Sequence, residues 1–281
     1  ILILIIININ LLLLTMELVL TNKQKTNQFS HIFKNLKNIS TDVEMHVKET
    51  GIYIQGMDSG HICLFELELK AYWFDEYKFD SPLRLGIHCE LIHKIINCKE
   101  EHQNIRLKTT NGEKLHVTLY PREGQSGITK EFELSLIDID SELLEVPEVE
   151  YDADIEIVSQ DLANLITQLS VFGKDLNIKC GENVVFKGSG ELGTMSAIME
   201  EEQIIMYAVA EDTKVDLTYS MDYLVKFVSF AKLNSTAKMH FGKEYPMKLQ
   251  YDLDFIMDNE DEDEEVNNYI RFFLAPKIED S

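Results

Sequence analysis

The sequence predicts an α+β protein in which a β-rich domain with two helices occurs twice. Three observations carry this reading. After Met16 most of the chain alternates apolar and polar residues with the period of two of half-buried strands. Four short stretches instead carry apolar residues at the i, i+3, i+4, i+7 spacing of a helix. The order of these elements then repeats, with the two helices of each half about 60 residues apart.

In the first half, Met16–Asn22 reads as a strand, and residues 27–38 as a helix with Phe29, Ile32, Phe33 and Leu36 inward. Segments 43–47 and 52–57 alternate around Thr50-Gly51, a hairpin signal, and 62–69 alternates again. Residues 90–98 carry Leu91, Ile92, Ile95 and Ile96 on one helical face. Segments 105–109 and 114–119 flank Asn111-Gly112, a strong hairpin dipeptide, and 130–136 closes the half as a strand.

The second half repeats the series. Residues 153–158 read as a strand and 159–170 as a helix with Leu162, Leu165, Ile166 and Leu169 inward. Segments 176–180 and 184–187 form a hairpin, followed by strands 195–199 and 204–209. Residues 221–232 read as the fourth helix, and 238–241, 247–253 and 269–274 as strands. The expected division is an N-terminal domain over 16–135, an acidic connector over 136–152, a C-terminal domain over 153–275 and a tail over 276–281. Residues 1–15, apolar but short of the roughly 20 residues of a spanning helix, are expected to be a non-native or disordered extension. No membrane association is expected.

The net charge is −23, with 49 acids against 26 Lys and Arg, so a role on nucleic acid depends on where the cations lie. Seven acids form one run, Asp258 to Glu265. Between Glu17 and Asp42 there is no acid, while Lys23, Lys25, Lys34, Lys37 and His31 are present. The other helices contribute Lys94, Lys99, Lys226 and Lys232. Their acids, Glu90, Asp161 and Asp222, each sit in a first turn, where the helix dipole favours them. The polar helix faces therefore look toward something anionic.

Catalytic chemistry finds no support. Gly188 to Gly193 spells GxGxxG, but the run after it reads as a strand, so no helix N-terminus would receive a pyrophosphate. His88, Cys89, His93 and Cys98 do not share a face and form no metal spacing, and no metal or cofactor is expected. The four cysteines form no CxxC pair and read as reduced, buried residues.

At this point the residues resemble a known family. Gly51-Ile-Tyr-Ile-Gln-Gly-Met-Asp-Ser-Gly-His-Ile-Cys-Leu-Phe65 is similar to the signature loop and strand of the eukaryotic DNA sliding clamp, the proliferating cell nuclear antigen family. Leu136 to Asp140 with Val146-Pro147-Glu148 resembles its connecting loop. Ser189 to Gly193 and the tail Leu274 to Asp280 resemble its later motifs, in the same order. The resemblance implies the DNA clamp fold, closed as a trimer ring of identical subunits around duplex DNA, with no catalytic activity.

What the resemblance implies for individual residues follows. DNA-facing positions are His31, Lys34, Lys37, Lys94, Lys226 and Lys232. A partner pocket beneath the connector takes Met57, His61, Ile62, Leu64, Leu144, Val146, Pro147, Tyr151, Pro246, Phe273, Leu274, Ala275 and Pro276. Subunits join through Phe132 and Leu134 on one side and Met195 and Ile198 on the other. Implied partners are a DNA polymerase, other proteins with the clamp-binding motif and a clamp loader, acting in replication and repair in the nucleus. Asn164, Thr167, Asn97 and Ser229 stand where the family carries basic residues, which implies a weaker grip on DNA. The loop after Cys180 lacks the family's modified lysine. The alternatives are a subunit of a heterotrimeric or checkpoint-type clamp and, from another class, a nucleotide-using enzyme built on the GxGxxG.

Overall fold

The computed structural model describes residues 16–58, 60–110, 112–139, 142–191, 193–211, 213–253 and 268–278. The extension 1–15 and the acidic run Asp258–Glu265 lie outside the described residues. The first half contains β1 (Met16–Leu20), α1 (Lys23–Asn35), β2 (Asp42–Lys48), β3 (Gly51–Met57), β4 (Cys63–Lys70), β5 (Glu76–Phe79) and β6 (Leu83–His88). It continues with α2 (Cys89–Asn97), β7 (Gln103–Thr109), β8 (Lys114–Pro121) and β9 (Lys130–Ser135). The second contains β10 (Ala153–Val158), α3 (Ser159–Leu169), β11 (Asp175–Cys180), β12 (Val184–Gly190), β13 (Gly193–Met199) and β14 (Met206–Val209). It ends with β15 (Val215–Ser220), α4 (Met221–Val228), β16 (Thr236–Phe241), β17 (Met247–Asp252) and β18 (Tyr269–Leu274). Both halves run strand, helix, five strands, helix, three strands.

The repeat extends to the sheets. In the first half β5-β1-β7-β8-β9 are neighbours, and in the second β14-β10-β16-β17-β18, the same positions in the same order. Likewise β13-β12-β11-β15 is one sheet of the second half, and β3-β2-β6 are neighbours in the first. The described residues divide into two compact units. One takes in those of Ile1–Gln55 and Glu68–Glu142, the other those of Gly56–Leu67 and Leu143–Ser281. The tip of the β3–β4 hairpin thus belongs with the second unit.

Each unit buries its helix pair on a sheet. Phe29, Ile32 and Phe33 of α1 and Ile92 and Ile96 of α2 are almost fully buried, and so are Leu162 and Ile166 of α3 and Leu224 and Phe227 of α4. A side chain of this size contributes about 1.5–3 kcal/mol when removed from water, so these positions dominate the packing. In the second unit Phe227 stacks on Phe272 of β18 with ring centroids 4.6 Å apart. Close approach of backbone requires glycine at several positions, Gly51 and Gly86 among them. A Cβ on Gly51 would stand 2.2 Å from the Leu69 carbonyl oxygen, and one on Gly86 1.9 Å from that of Ile137.

Several elements differ from the sequence expectation. Helix α1 starts at Lys23, because the Asn22 side chain accepts hydrogen bonds from the Gln24 and Lys25 amides and caps it there. Strands β5, β6 and β15 were not expected. Helix α4 ends at Val228 rather than Lys232: the chain tightens there into three-residue turns that bury Phe230 and Leu233. The GxGxxG glycines lie in the β12–β13 hairpin, with Gly190 paired to Gly193, so no helix follows them.

The loop between β3 and β4 is organised by one carboxylate. Asp58 Oδ1 accepts from the amides of Ile62 at 2.8 Å and Cys63 at 2.6 Å, and Oδ2 accepts from the Gly60 amide at 3.0 Å and the Tyr223 hydroxyl at 2.7 Å. Burial pushes its pKa up. The donations from Cys63, Tyr223, Gly60 and Ile62 outweigh burial and hold it below the ordinary carboxylate value. A carboxyl with a depressed folded pKa contributes stability above its unfolded pKa and loses it as pH falls through the folded one. Asp58→Asn should therefore cost about 1–2 kcal/mol at pH 7, with the gap to the parent closing below about pH 4. Denaturant titrations at pH 7 and pH 3 check this; an equal gap at both contradicts it.

Candidate interaction surfaces

The first surface is a pair of strand edges. β9 ends one sheet of the first unit and β13 ends one sheet of the second. In the repeat, β9 corresponds to β18 and β13 to β4. Inside the second unit β18 is the neighbour of β4, so the two corresponding positions are filled there and open at β9 and β13. Of the residues expected at subunit junctions, Phe132 is half-buried, and Leu134 is 2% exposed in the core of its own unit. Met195 is half-buried, while Ile198, on the opposite face of β13, is 61% exposed.

The second surface is the polar face of the helices. In the first unit Lys34 is half-buried and Lys94 exposed. Lys37 lies 3.3 Å and Lys94 3.9 Å from the Glu90 carboxylate, so one acid is shared by two cations. His31 is half-buried, with the Asn35 amide 2.8 Å from its backbone oxygen. Sequence reasoning left Lys99 and Arg122 out of the DNA-facing set. Burial first, and then the charges of Arg122 and Lys34, pull the Lys99 pKa down to about 8. In the second unit Lys226 lies over the Tyr223 ring at 5.2 Å, and Lys232 is exposed beyond the helix end. Asn164 and Thr167 bond within α3: the Gln160 amide donates to Asn164 Oδ1 and the Thr167 hydroxyl to the Ala163 carbonyl.

The third surface lies within the second unit. The Ala275 amide donates to the Ile62 carbonyl at 3.1 Å, joining the tail to the loop after β3. His61 takes the left-handed φ of 55°, uncommon for a residue with a side chain, and presents Ile62 with 43% exposure. Met57 and Leu64 are half-buried, and so are Ala275 and Pro276. Residues 143–150 form neither helix nor strand. Leu144 is 48% exposed, Val146 half-buried and Pro147 exposed among Glu142, Glu145, Glu148 and Glu150. Pro246 is exposed just before β17. Phe273 lies on the Arg271 face of β18 but is only 7% exposed, and Leu274, fully buried, lies on the opposite face.

Charged residues that the sequence reading did not single out surround Phe273. Lys248 is its cross-strand partner, and the Lys248 ammonium lies 5.4 Å from the Tyr151 ring centroid. Arg271 lies over the rings of Tyr269 at 4.4 Å and Phe273 at 5.6 Å, and its Nε donates to the buried Glu66 carboxylate at 2.5 Å. His240 pairs with Asp154 at 2.6 Å. Burial, then the Lys248 charge, outweigh that carboxylate and hold the imidazole pKa below its ordinary value. The signal for Lys248 and His240 is the alternation of β16 and β17, whose outward positions are polar, and on β18 Arg271 stands between Tyr269 and Phe273 on one face.

Among the described residues no group of His, Cys, Asp and Glu could hold a metal ion, and no helix is long and apolar enough to cross a membrane. The family model for the proliferating cell nuclear antigen N-terminal domain matches residues 18–143, and that for its C-terminal domain residues 145–260. The proliferating cell nuclear antigen of Chaetomium thermophilum is 27% identical over 251 residues, which cover 87% of this chain and 92% of that protein. With the repeated architecture, these matches establish that the chain belongs to the proliferating cell nuclear antigen family, DNA sliding clamps that act as processivity factors and not as enzymes.

Proposed function

We propose that three copies of this chain close into a ring around duplex DNA and tether a DNA polymerase and other clamp-binding proteins during replication and repair in the nucleus. The observation that carries the reading is the pair of open edges. Since β18 is satisfied by β4, the equivalent β9 is complementary in kind to the equivalent β13. A chain bearing both halves of one pairing associates head to tail, and closed symmetry leaves neither β9 nor β13 open. Trimer closure follows from the family resemblance. Phe132→Arg sets a charge at this junction and should give a monomer at micromolar concentration by sedimentation. A trimer in that variant contradicts the edge assignment. A parent chain that stays monomeric until mixed with related chains supports the heterotrimeric alternative.

The helices would line the channel, with His31, Lys34, Lys37, Lys94, Lys226 and Lys232 toward phosphate. Lysines without base contacts give sequence-blind, salt-sensitive attraction, which suits a ring that must slide. Replacing Lys34, Lys37, Lys94 and Lys226 by Glu should leave the trimer intact and reduce polymerase processivity on primed template after a clamp loader has closed the ring. The loss should deepen with salt. Unchanged processivity at physiological salt contradicts this channel face.

Partners would dock where the tail, the β3–β4 loop and the connector meet the outer face near Phe273. Exposed Leu144 and Pro147 in an acidic stretch are readily understood as one wall of an apolar groove. Leu144→Ala combined with Pro147→Ala should weaken a clamp-binding-motif peptide about tenfold or more, with trimer and duplex binding unaltered. Calorimetric titration checks it: equal affinities for parent and double variant would move the docking site elsewhere.

A further inference from the structure

We propose that Lys248 makes this groove selective for a partner segment carrying an acidic side chain, which its ammonium receives beside Phe273 and Tyr151. The inference rests on the docking reading above and adds the chemistry of the occupant.

The argument starts from two adjacent rungs of the sheet in the second unit. One runs Asp154, His240, Lys248, Phe273 through successive cross-strand pairs of β10, β16, β17 and β18. The next runs Glu156, Lys238, Gln250, Arg271. On the second rung every charge is matched. Lys238 lies 2.9 Å from Asp252 and 3.7 Å from Glu156, and Arg271 holds Glu66. On the first rung Asp154 is engaged by His240.

Lys248 stands out in this array. It is half-buried, and among the described residues no carboxylate lies within 4 Å of its ammonium, which rests over the Tyr151 ring. The groups acting on it at longer range are the cations Arg271 and Lys238 and the acids Asp154 and Glu148. Burial, followed by Arg271, outweighs the pull of Asp154 and Glu148 and holds its pKa below the ordinary lysine value.

A carboxylate on a docked segment would complete the first rung as Glu66 completes the second. A charge-assisted bond in a partly dehydrated groove is stronger than one to a neutral amide, so Glu should be preferred to Gln. The selection is also positional. The connector rim carries Glu145, Glu148 and Glu150, which repel an acid held outside the groove. An acidic side chain is therefore accepted only where it reaches Lys248.

The test uses the full chain and short synthetic peptides with the apolar anchors of a one-turn helix. Each remaining position carries Glu in one peptide and Gln in its twin, and binding is measured by calorimetry. At one position the Glu peptide should bind the parent about tenfold tighter than its twin. That advantage should vanish in Lys248→Met, which keeps an apolar stem, and persist in Lys248→Arg. Equal binding of the Gln twin to parent and Lys248→Met shows that the groove remains folded. No Glu preference at any position, or a preference that survives Lys248→Met, overturns the inference. Failure of every peptide to bind the parent overturns the docking reading itself, and this inference with it.

Discussion

The backbone hydrogen-bonding capacity of a strand edge is the constraint on which this architecture depends. An exposed row of N–H and C=O groups can template association with any other chain. Here the duplicated domain leaves β9 in the first unit and β13 in the second among its sheet edges. Within the chain the duplication fills the equivalent position, where β18 and β4 lie side by side. Hydrophobic burial builds each unit on its own, as the nearly dry helix–sheet cores indicate. In the proposed ring, assembly would then be governed by directional groups left over from sheet formation.

Charge obeys a second constraint. A chain of net −23 approaches DNA only if its acids are kept off the approaching face. On the helices the acids sit in first turns, and one of them, Glu90, is tied to Lys37 and Lys94. The outer sheet face solves the opposite problem. Its charges are partly buried and, Lys248 apart, matched by close partners, because an unpaired ion out of water is costly. The same residue types thus serve as exposed or half-buried cations on the helices and as fixed counter-ions on the sheet.

Much of this was legible in the sequence, for identifiable reasons. Strand β10, which alternates strictly, has the expected bounds, because one face is buried and the other wetter. The duplication was visible because both helix pairs keep their apolar spacing. The first turn of α1 was invisible to periodicity, since Lys23, Gln24 and Lys25 are polar and the start is fixed by the Asn22 cap. In β6, Leu83, Leu85 and Ile87 do alternate inward, but Pro82 and Gly86 read as breaks. The groove residues entered through resemblance. Lys248, His240 and Arg271 escaped notice because their relation is lateral. It exists only once β16, β17 and β18 are in register, and no single strand records its neighbours.

The four cysteines divide sharply by environment. Burial raises the thiols of Cys63, Cys89 and Cys180 to about 12, so they are protonated and shielded at neutral pH. Cys98, at the C-cap of α2, is exposed. Thiol-directed reagents therefore have one accessible target per subunit in the native protein. A fluorophore or spin label attached there would report on the helix face without any engineered substitution, and in an assembly of identical copies it would supply its own internal ruler.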